Sequence, residues 1–461
     1  MNKNYFLVLL FIAFCMPLLA EEAEPETPAP VQRTIEDQRR DILRFGTETE
    51  IATLIQTLRN ERVDYLDEDL VELVQKTRNR GILTGVFGFF GEMEKTGLEE
   101  RAIQAIRDMD EEANETITAA VNYLGHVKAV QAIDSLKELI NTGENRFFAS
   151  AFRALGRAAS AEGAGELADE VALFLLNYYE NRNPGDEVRR ELLVAMGETG
   201  SSEVVPFLSE LVTNPDERIP LRMAGLDALG KIGNEGGMDA VVQAVSSNDP
   251  NVRASAVAAL GPFSGDEVDA AILEAFRDPN YRGRIAAAQA AGRRQLESAV
   301  PFLRFRAEND EVPAVKDEAI KALGAINNSE CMEILDSLFT NRRNSDRVRL
   351  VAAEQLLQND TDTYSRRIYV EMEEAKRINM TPLYNGFIRI MATARSNTLE
   401  DIARRFISYG GIIEKVLALD LILHNEFLSL EEDVRSLLDE RRHGASVARR
   451  AQSTLERLGL E

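Results

Sequence analysis

The sequence is poor in the side chains that most often carry chemistry or covalent cross-links. Its 461 residues include no tryptophan, two cysteines and three histidines. Cys15 lies in an apolar stretch at the start of the chain, so removal of that stretch would leave Cys331 alone and no internal disulfide is predicted. His126, His424 and His443 lie far apart, without an HExxH pattern or a cysteine partner. The histidines therefore predict no zinc site.

Glycine patterns that bind phosphates or carry a nucleophile are also missing. The chain has no GxSxG, Walker-type or dinucleotide-binding sequence. Two acidic stretches, 108–112 and 359–362, could collect a calcium ion, but neither completes the twelve-residue loop with its glycine and terminal glutamate. We therefore expect no cofactor, no bound metal and no enzymatic activity.

Basic residues are outnumbered, with 53 Lys and Arg against 77 Asp and Glu, which gives a net charge of −24. Such a chain repels nucleic acid and anionic lipid surfaces and favours neutral or cationic partners. The same charge also keeps a long particle soluble, and this is the favoured explanation. A protein or peptide partner is predicted, and it could be cationic.

The first residues predict export from the cytoplasm. Residues 1–20 combine Lys3 with an apolar run that ends at Ala20, as in a signal peptide. Residues 21–33 are acidic and proline-rich, which predicts an extended tether. The absence of disulfides suits a bacterial periplasm. Alternatively, Cys15 is lipidated and anchors a lipoprotein, the one case in which membrane contact is expected.

A single pattern recurs along most of the chain. The run from Asp249 to Gly261 opens with an Asp-Pro pair suited to a helix start, places Val252, Ala256 and Leu260 on one stripe, and closes with glycine. An apolar residue followed by glycine recurs at intervals of 34, 31, 41, 33, 31, 31 and 32 residues. The glycines are Gly91, Gly125, Gly156, Gly197, Gly230, Gly261, Gly292 and Gly324. Such a period predicts a solenoid, and each glycine is expected to end its helix.

The repeated units resemble HEAT repeats. Pro206 and Pro301 occupy matching places in first helices, acidic residues fall in the turns, and Val252-Arg253 leads into small residues of a second helix. The resemblance is clearest over 117–357 and implies an all-α, right-handed superhelix of about eleven helical hairpins over 34–461. Some HEAT-like proteins are enzymes, such as bilin lyases and metal-dependent hydroxylases. Three scattered histidines and the export signal disfavour this alternative.

A charged residue recurs eight positions before each of the last five glycines, and at the same distance before Leu357, and acidic residues precede it. The set comprises Arg189, Arg222, Arg253, Arg284, Lys316 and Arg349, with Asp186, Asp216, Asp249, Asp278 and Asp346. In HEAT-like arrays such residues form a structural ladder of ion pairs between neighbouring units. We expect that role here rather than a charged binding track.

The positions seven and three before each glycine point away from the buried stripe, because each residue turns the helix by about 100°. The resemblance implies that second helices line a concave face, so these positions form the candidate binding surface. They include Arg153, Arg190, Val194, Met223, Asp227, Ala254, Ala258, Gln289, Asp317, Lys321 and Glu354. The predicted function is a non-enzymatic scaffold of the cell envelope that binds a protein or peptide on this face.

Overall fold

The computed structural model describes residues 34–460. The predicted signal peptide, the acidic tether and Cys15 lie outside these residues. None of the helices between residues 34 and 460 combines the length and the apolar character that crossing a membrane requires.

The described chain is helical throughout, with no strand between residues 34 and 460. The first fourteen helices are α1 (Ile35–Phe45), α2 (Glu48–Glu61), α3 (Asp67–Lys76), α4 (Arg80–Glu92), α5 (Glu99–Arg107), α6 (Asn114–His126), α7 (Ile133–Asn141), α8 (Phe148–Ala159), α9 (Glu166–Asn181), α10 (Asp186–Thr199), α11 (Val205–Thr213), α12 (Ile219–Ile232), α13 (Met238–Ala244) and α14 (Pro250–Ala259). The remaining thirteen are α15 (Asp266–Ala275), α16 (Tyr281–Arg293), α17 (Val300–Asn309), α18 (Pro313–Ile326), α19 (Ser329–Thr340), α20 (Asp346–Asn359), α21 (Thr361–Arg377), α22 (Thr381–Met391), α23 (Glu400–Tyr409), α24 (Ile412–Asn425), α25 (Glu431–Arg435), α26 (Glu440–His443) and α27 (Ala445–Arg457).

Local sequence explains where several helices begin. The Asp249 carboxylate accepts hydrogen bonds from the amides of Asn251 and Val252, and Pro250 occupies the first turn of α14. Thr47 and Glu50 form a reciprocal capping box at the start of α2. Both contacts satisfy amides that the first turn of a helix leaves without partners, and the predicted start of α14 is confirmed.

The chain divides into two compact units, Met1–Phe89 and Phe90–Glu461. In the described part of the first unit, α2 buries Leu54, Ile55 and Leu58. An ion pair of 2.9 Å between Arg40 Nε and Asp69 Oδ2 joins α1 to α3. The prediction that one continuous body covers residues 34–461 stays a prediction.

The second unit is a stack of helical hairpins. Helices α5 to α24 form ten consecutive pairs, and α25 to α27 close the unit. The prediction of about eleven hairpins covered residues 34–461, which also include α1 to α4, and the all-α solenoid is confirmed. The even-numbered helices from α6 to α20 lie side by side, and each also packs on the odd-numbered helix before it. Val252, Ala256 and Leu260 are buried in this stack, as the periodicity predicts.

The recurring glycines have a different role from the predicted one. Gly125, Gly156, Gly197, Gly230, Gly292 and Gly324 lie inside their helices, and Gly261 alone of the second-unit set follows the end of its helix. A Cβ atom on Gly197 would lie 2.7 Å from Ala228 Cα of the next even-numbered helix, and one on Gly230 would lie 3.0 Å from Ala259 Cα. Glycine is therefore needed for the close approach of successive helices, not for a helix end.

Candidate functional site

The charged residues eight positions before the glycines are held in structural contacts. Arg253 binds Asp278 through two parallel bonds, Nε to Oδ2 at 2.7 Å and Nη2 to Oδ1 at 2.9 Å. Arg284 binds Asp310 with the same two distances. Each arginine also donates from Nη1 to two backbone carbonyls of the turn that precedes its own helix, at 3.0–3.2 Å. Each arginine thus contacts the turn of its own hairpin and links that hairpin to the next one.

The other members of the set reach the same region of their own hairpin. Arg222 Nε donates to the Val212 carbonyl at 2.9 Å, and Arg349 Nε donates to Phe339 at 3.0 Å. Lys316 Nζ donates to the Glu308 carbonyl at 2.8 Å. Arg189 Nη2 donates to the Asn183 side chain at 3.0 Å. Three of these four cations cap the C-terminal carbonyls of an odd-numbered helix, where positive charge is favourable.

The acidic residues of the predicted ladder make different contacts. Asp278 is the ion-pair partner of Arg253, Asp186 pairs with Arg218, and Asp249 caps its own helix. Asp216 lies in the turn that precedes α12, and Asp346 is the first residue of α20. Sequence reasoning missed Asp310, which follows Arg284 by 26 residues, close to the 25 that separate Asp278 from Arg253. That spacing was the available signal.

Two of these carboxyl groups titrate abnormally because of their partners. Burial alone would raise the pKa of Asp278, but bonds from Arg253 and from the Asn280 amide outweigh it and lower the pKa. Burial alone would likewise raise the pKa of Asp310, but bonds from Arg284 and from the Val312 amide outweigh it, so the pKa is also lowered. Both groups therefore remain ionised inside the stack at neutral pH.

The candidate binding residues lie on even-numbered helices, and ten of the eleven reach solvent. Arg153, Arg190, Asp227, Ala258, Gln289 and Lys321 are exposed, and Val194, Met223, Ala254 and Glu354 are half-buried. We call these ten residues the B face. The structure thus places the side chains on one side of successive helices, at the positions that helical periodicity predicts.

Asp317 differs from the expectation that it is exposed. Its side chain is only 7% exposed, because Arg347 of α20 covers it and donates from Nε to Oδ2 at 2.7 Å. The helix period indicates the direction of a side chain but not what the next hairpin places over it. Asp317 is therefore a contact between α18 and α20 rather than a free position.

Part of the B face forms a groove. Met223 and Asp227 of α12 and Ala258 of α14 line a depression of about 280 Å³ together with Gly230 and Ala259. The groove exists because small residues on both helices leave the space between them unfilled. The structure thus brings together three residues that the sequence predicted, whereas Arg153 lies two hairpins before the groove and Glu354 three hairpins after it.

A second feature of the B face is centred on a residue that sequence reasoning missed. Glu191 of α10 is 4% exposed and accepts bonds from Arg153 Nε at 2.8 Å and from Arg190 Nη2 at 2.8 Å. The arginine side chains are 51% and 49% exposed. A buried carboxylate therefore fixes two predicted surface residues of different helices. An acidic residue directly after Arg190 on an otherwise apolar stripe was the signal for it.

The residues with catalytic potential do not converge in the described part of the chain. His126 ends α6, His424 lies near the end of α24 and His443 ends α26. His443 Nδ1 lies 2.9 Å from Lys415 Nζ, and burial together with this lysine lowers the pKa of His443. Among residues 34–460, no group of three or more His, Cys, Asp and Glu side chains could hold a metal ion. Cys331 is buried and free.

The fold and the repeated contacts define a class, the α-solenoids built of HEAT repeats. Within that class the chain belongs to the spirochaete HEAT repeat proteins, because the model of that family matches residues 43–454. The predicted resemblance to HEAT repeats is confirmed.

Two curated relatives are deoxyhypusine hydroxylases. The protein of Candida albicans is 26% identical over 285 residues, which cover 58% of this chain and 84% of that protein. The protein of Schizosaccharomyces pombe is 24% identical over 280 residues, which cover 58% of this chain and 82% of that protein.

Similar solved structures include crystal structures of Kap121p. One has a TM-score of 0.43 and 12% identity, with 92% of this chain and 53% of that chain covered. Another, of Kap121p bound to Pho4p, has a TM-score of 0.43 and 13% identity, with 93% and 54% covered. This chain thus spans about half the length of the Kap121p chains.

Proposed function

We propose that this protein is a non-enzymatic scaffold that binds a protein or peptide segment across the B face. The observation that carries the proposal is the row of solvent-accessible side chains that successive helices present on the same side. The buried stripe and the arginine ladder are occupied by structural contacts, which leaves this row for a partner. Its mixed charge and small residues suit many modest contacts rather than one deep pocket.

The groove beside Ala258 is the place where a partner segment would approach most closely. Ala258 is exposed, Met223 offers an adaptable apolar wall, and Asp227 and Lys231 form an ion pair of 3.2 Å beside them. A methionine-lined surface can adjust to different apolar side chains. We therefore place an apolar residue of the partner in this groove.

The test is photo-crosslinking in the native host. A photoreactive amino acid at Ala258 should give adducts with a defined protein, whereas the same amino acid at Phe305, an exposed residue of odd-numbered α17, should not. The charge reversals Arg190→Glu, Asp227→Lys and Lys321→Glu should reduce the adduct at Ala258. Equal adducts at the two positions, or reversals without effect, would refute binding on this face.

The cellular location belongs to the same proposal. Residues 1–20 would direct export and be removed after Ala20, and lipidation of Cys15 is the alternative. Mass spectrometry of the purified mature chain separates them, because cleavage after Ala20 leaves Glu21 first whereas lipidation leaves a modified Cys15 first. An unprocessed chain in the cytoplasm would overturn the envelope location.

The hydroxylase relatives give the enzyme alternative a specific basis. An iron-dependent enzyme needs several imidazole or carboxylate ligands within reach of one another, and the three histidines of this chain lie on three different helices. We therefore prefer the scaffold. Metal analysis of protein purified without chelators decides between the two, since stoichiometric iron would favour the enzyme.

A further inference from the structure

We infer that the arginine pair on α8 and α10 is a receptor for an acidic side chain of a peptide that lies across the B face. This inference rests on the proposed function and adds the chemistry of the partner at one end of that face. We call Arg153, Arg190 and Glu191 the arginine pair site. It carries two positive charges and one negative charge, a net of +1, on a chain whose net charge is −24.

The geometry of the site is suited to a carboxylate. Glu191 is buried, and its two carboxylate oxygens each bind one guanidinium group, with an N–O distance of 2.8 Å in both cases. A guanidinium group has five N–H donors, and Glu191 occupies only a minority of the ten that the pair provides. Because about half of each side chain is exposed, the remaining donors are available to a carboxylate from solvent. Their orientation is fixed in advance, which lowers the entropic cost of binding.

A second carboxylate that bridges two even-numbered helices shows that two arginines are more than the packing requires. At the α16–α18 contact, Gln289 Nε2 donates to Glu318 Oε2 at 3.1 Å. Gln289 and Arg153 both lie three residues before their glycines, and Glu318 and Glu191 both lie six residues before theirs. Glu318 also accepts a bond from Lys321 Nζ at 2.8 Å, so one amide and one cation are enough to satisfy the bridging carboxylate there, and they leave no excess of positive charge. The positive charge at the arginine pair site serves another purpose, for which an anionic partner is the complement.

The distance from the arginine pair site to the groove suggests the form of the peptide. The site joins α8 to α10 and the groove joins α12 to α14, which is two helix spacings away. Packed helices lie about 8–10 Å apart, and an extended chain advances about 3.3 Å per residue. The partner segment should therefore carry an acidic residue about five or six positions from an apolar one.

Selection from a displayed library of random peptides of about twelve residues tests the inference. The baits are the full exported chain, the Arg153→Gln/Arg190→Gln variant and the control Arg304→Gln, an exposed arginine of α17. Glutamine at position 153 copies the contact that Gln289 makes, and the single variant Arg153→Gln keeps Arg190 on Glu191 as Lys321 is kept on Glu318. Circular dichroism verifies the fold of the double variant, and the single variant, with a weaker preference for acidic sequences, takes its place if the double variant has not folded. Wild type and the control should enrich sequences with Asp or Glu five or six positions from an apolar residue. The double variant should not.

A selected peptide and its Glu→Gln counterpart are then compared by fluorescence anisotropy. Wild type should bind the Glu peptide about tenfold more tightly, and this preference should fall with salt and vanish in the double variant. Acidic peptides enriched equally on the double variant, or an absence of enrichment on every bait, would overturn the inference. Non-acidic peptides that crosslink at Ala258 would overturn it as well but leave the proposed function standing.

Discussion

Gly197→Ala tests the role that the structure assigns to the recurring glycines. A methyl group at this position would lie 2.7 Å from Ala228 Cα and 3.0 Å from Ala228 Cβ. In an isolated helix this substitution is favourable by about 1 kcal/mol, because glycine is a poor helix former. Overpacking costs about 1–3 kcal/mol. The upper end of that range applies, since the obstacle is backbone and cannot rotate away. The net effect should be a destabilisation of about 2 kcal/mol.

The effect should be concentrated where α10 meets α12. A solenoid can lose its cooperativity between distant repeats, so a single denaturation midpoint would understate a local change. Native-state hydrogen exchange is the better assay, because it resolves the opening of individual segments. Amides of α10 and α12 should exchange about 30-fold faster in Gly197→Ala, which corresponds to 2 kcal/mol.

Two substitutions of the same type serve as controls. A Cβ atom on Gly261 would meet its nearest atom at 3.7 Å, an ordinary contact, and one on Gly88 would meet nothing within 4 Å. Gly261→Ala should therefore be close to neutral, and Gly88→Ala, within α4, should stabilise by about 0.5–1 kcal/mol. If Gly197→Ala also stabilised the protein, or if all three behaved alike, the close-approach explanation would be wrong.

Three further predictions concern the ladder, the core and a helix start. The lowered pKa of Asp310 contributes stability that is present above the ordinary carboxyl pKa of about 3.9 and is lost as the pH falls through the lower folded value. Asp310→Asn should therefore reduce the dependence of Tm on pH below about pH 4. An unchanged slope of Tm against pH would contradict this. Leu260→Ala removes a fully buried side chain and should cost about 2–5 kcal/mol in urea unfolding, against little change for Lys321→Ala on the surface. Thr47→Ala removes the cap of α2 and should cost about 1 kcal/mol, with Thr47→Ser restoring it.

Local and periodic features were predictable from the sequence. The start of α14 at Asp249 and the buried stripe that includes Val252 and Leu260 depend on neighbours within one helix, and a 3.6-residue period is enough to find them. The exposure of Ala258 follows from the same period. The solenoid itself was predictable because the pattern returns at nearly constant intervals.

Contacts between helices were harder to predict from the sequence. Gly197 fits a helix end and a close helix contact equally well in sequence, and only Ala228, 31 residues later, shows which applies. The burial of Asp317 depends on Arg347, 30 residues away. Arg284 could pair with a carboxylate in its own turn or in the next one, and the structure selects Asp310. In each case the deciding atom belongs to another repeat, whose position a single helix period does not fix.

The packing of this solenoid restricts where its specificity can lie. Five even-numbered helices, α6, α8, α10, α12 and α16, place a glycine against the backbone of the next even-numbered helix, at distances that admit no larger side chain at Gly197 without a shift. The residue eight positions earlier binds the end of its own hairpin. Three positions before the glycine, the chain carries Arg153 in one repeat and Gln289 in another, each on a carboxylate of the next even-numbered helix. Variation is thus tolerated there without loss of the stack. A partner that distinguishes this solenoid from another of the same fold must therefore contact these side chains.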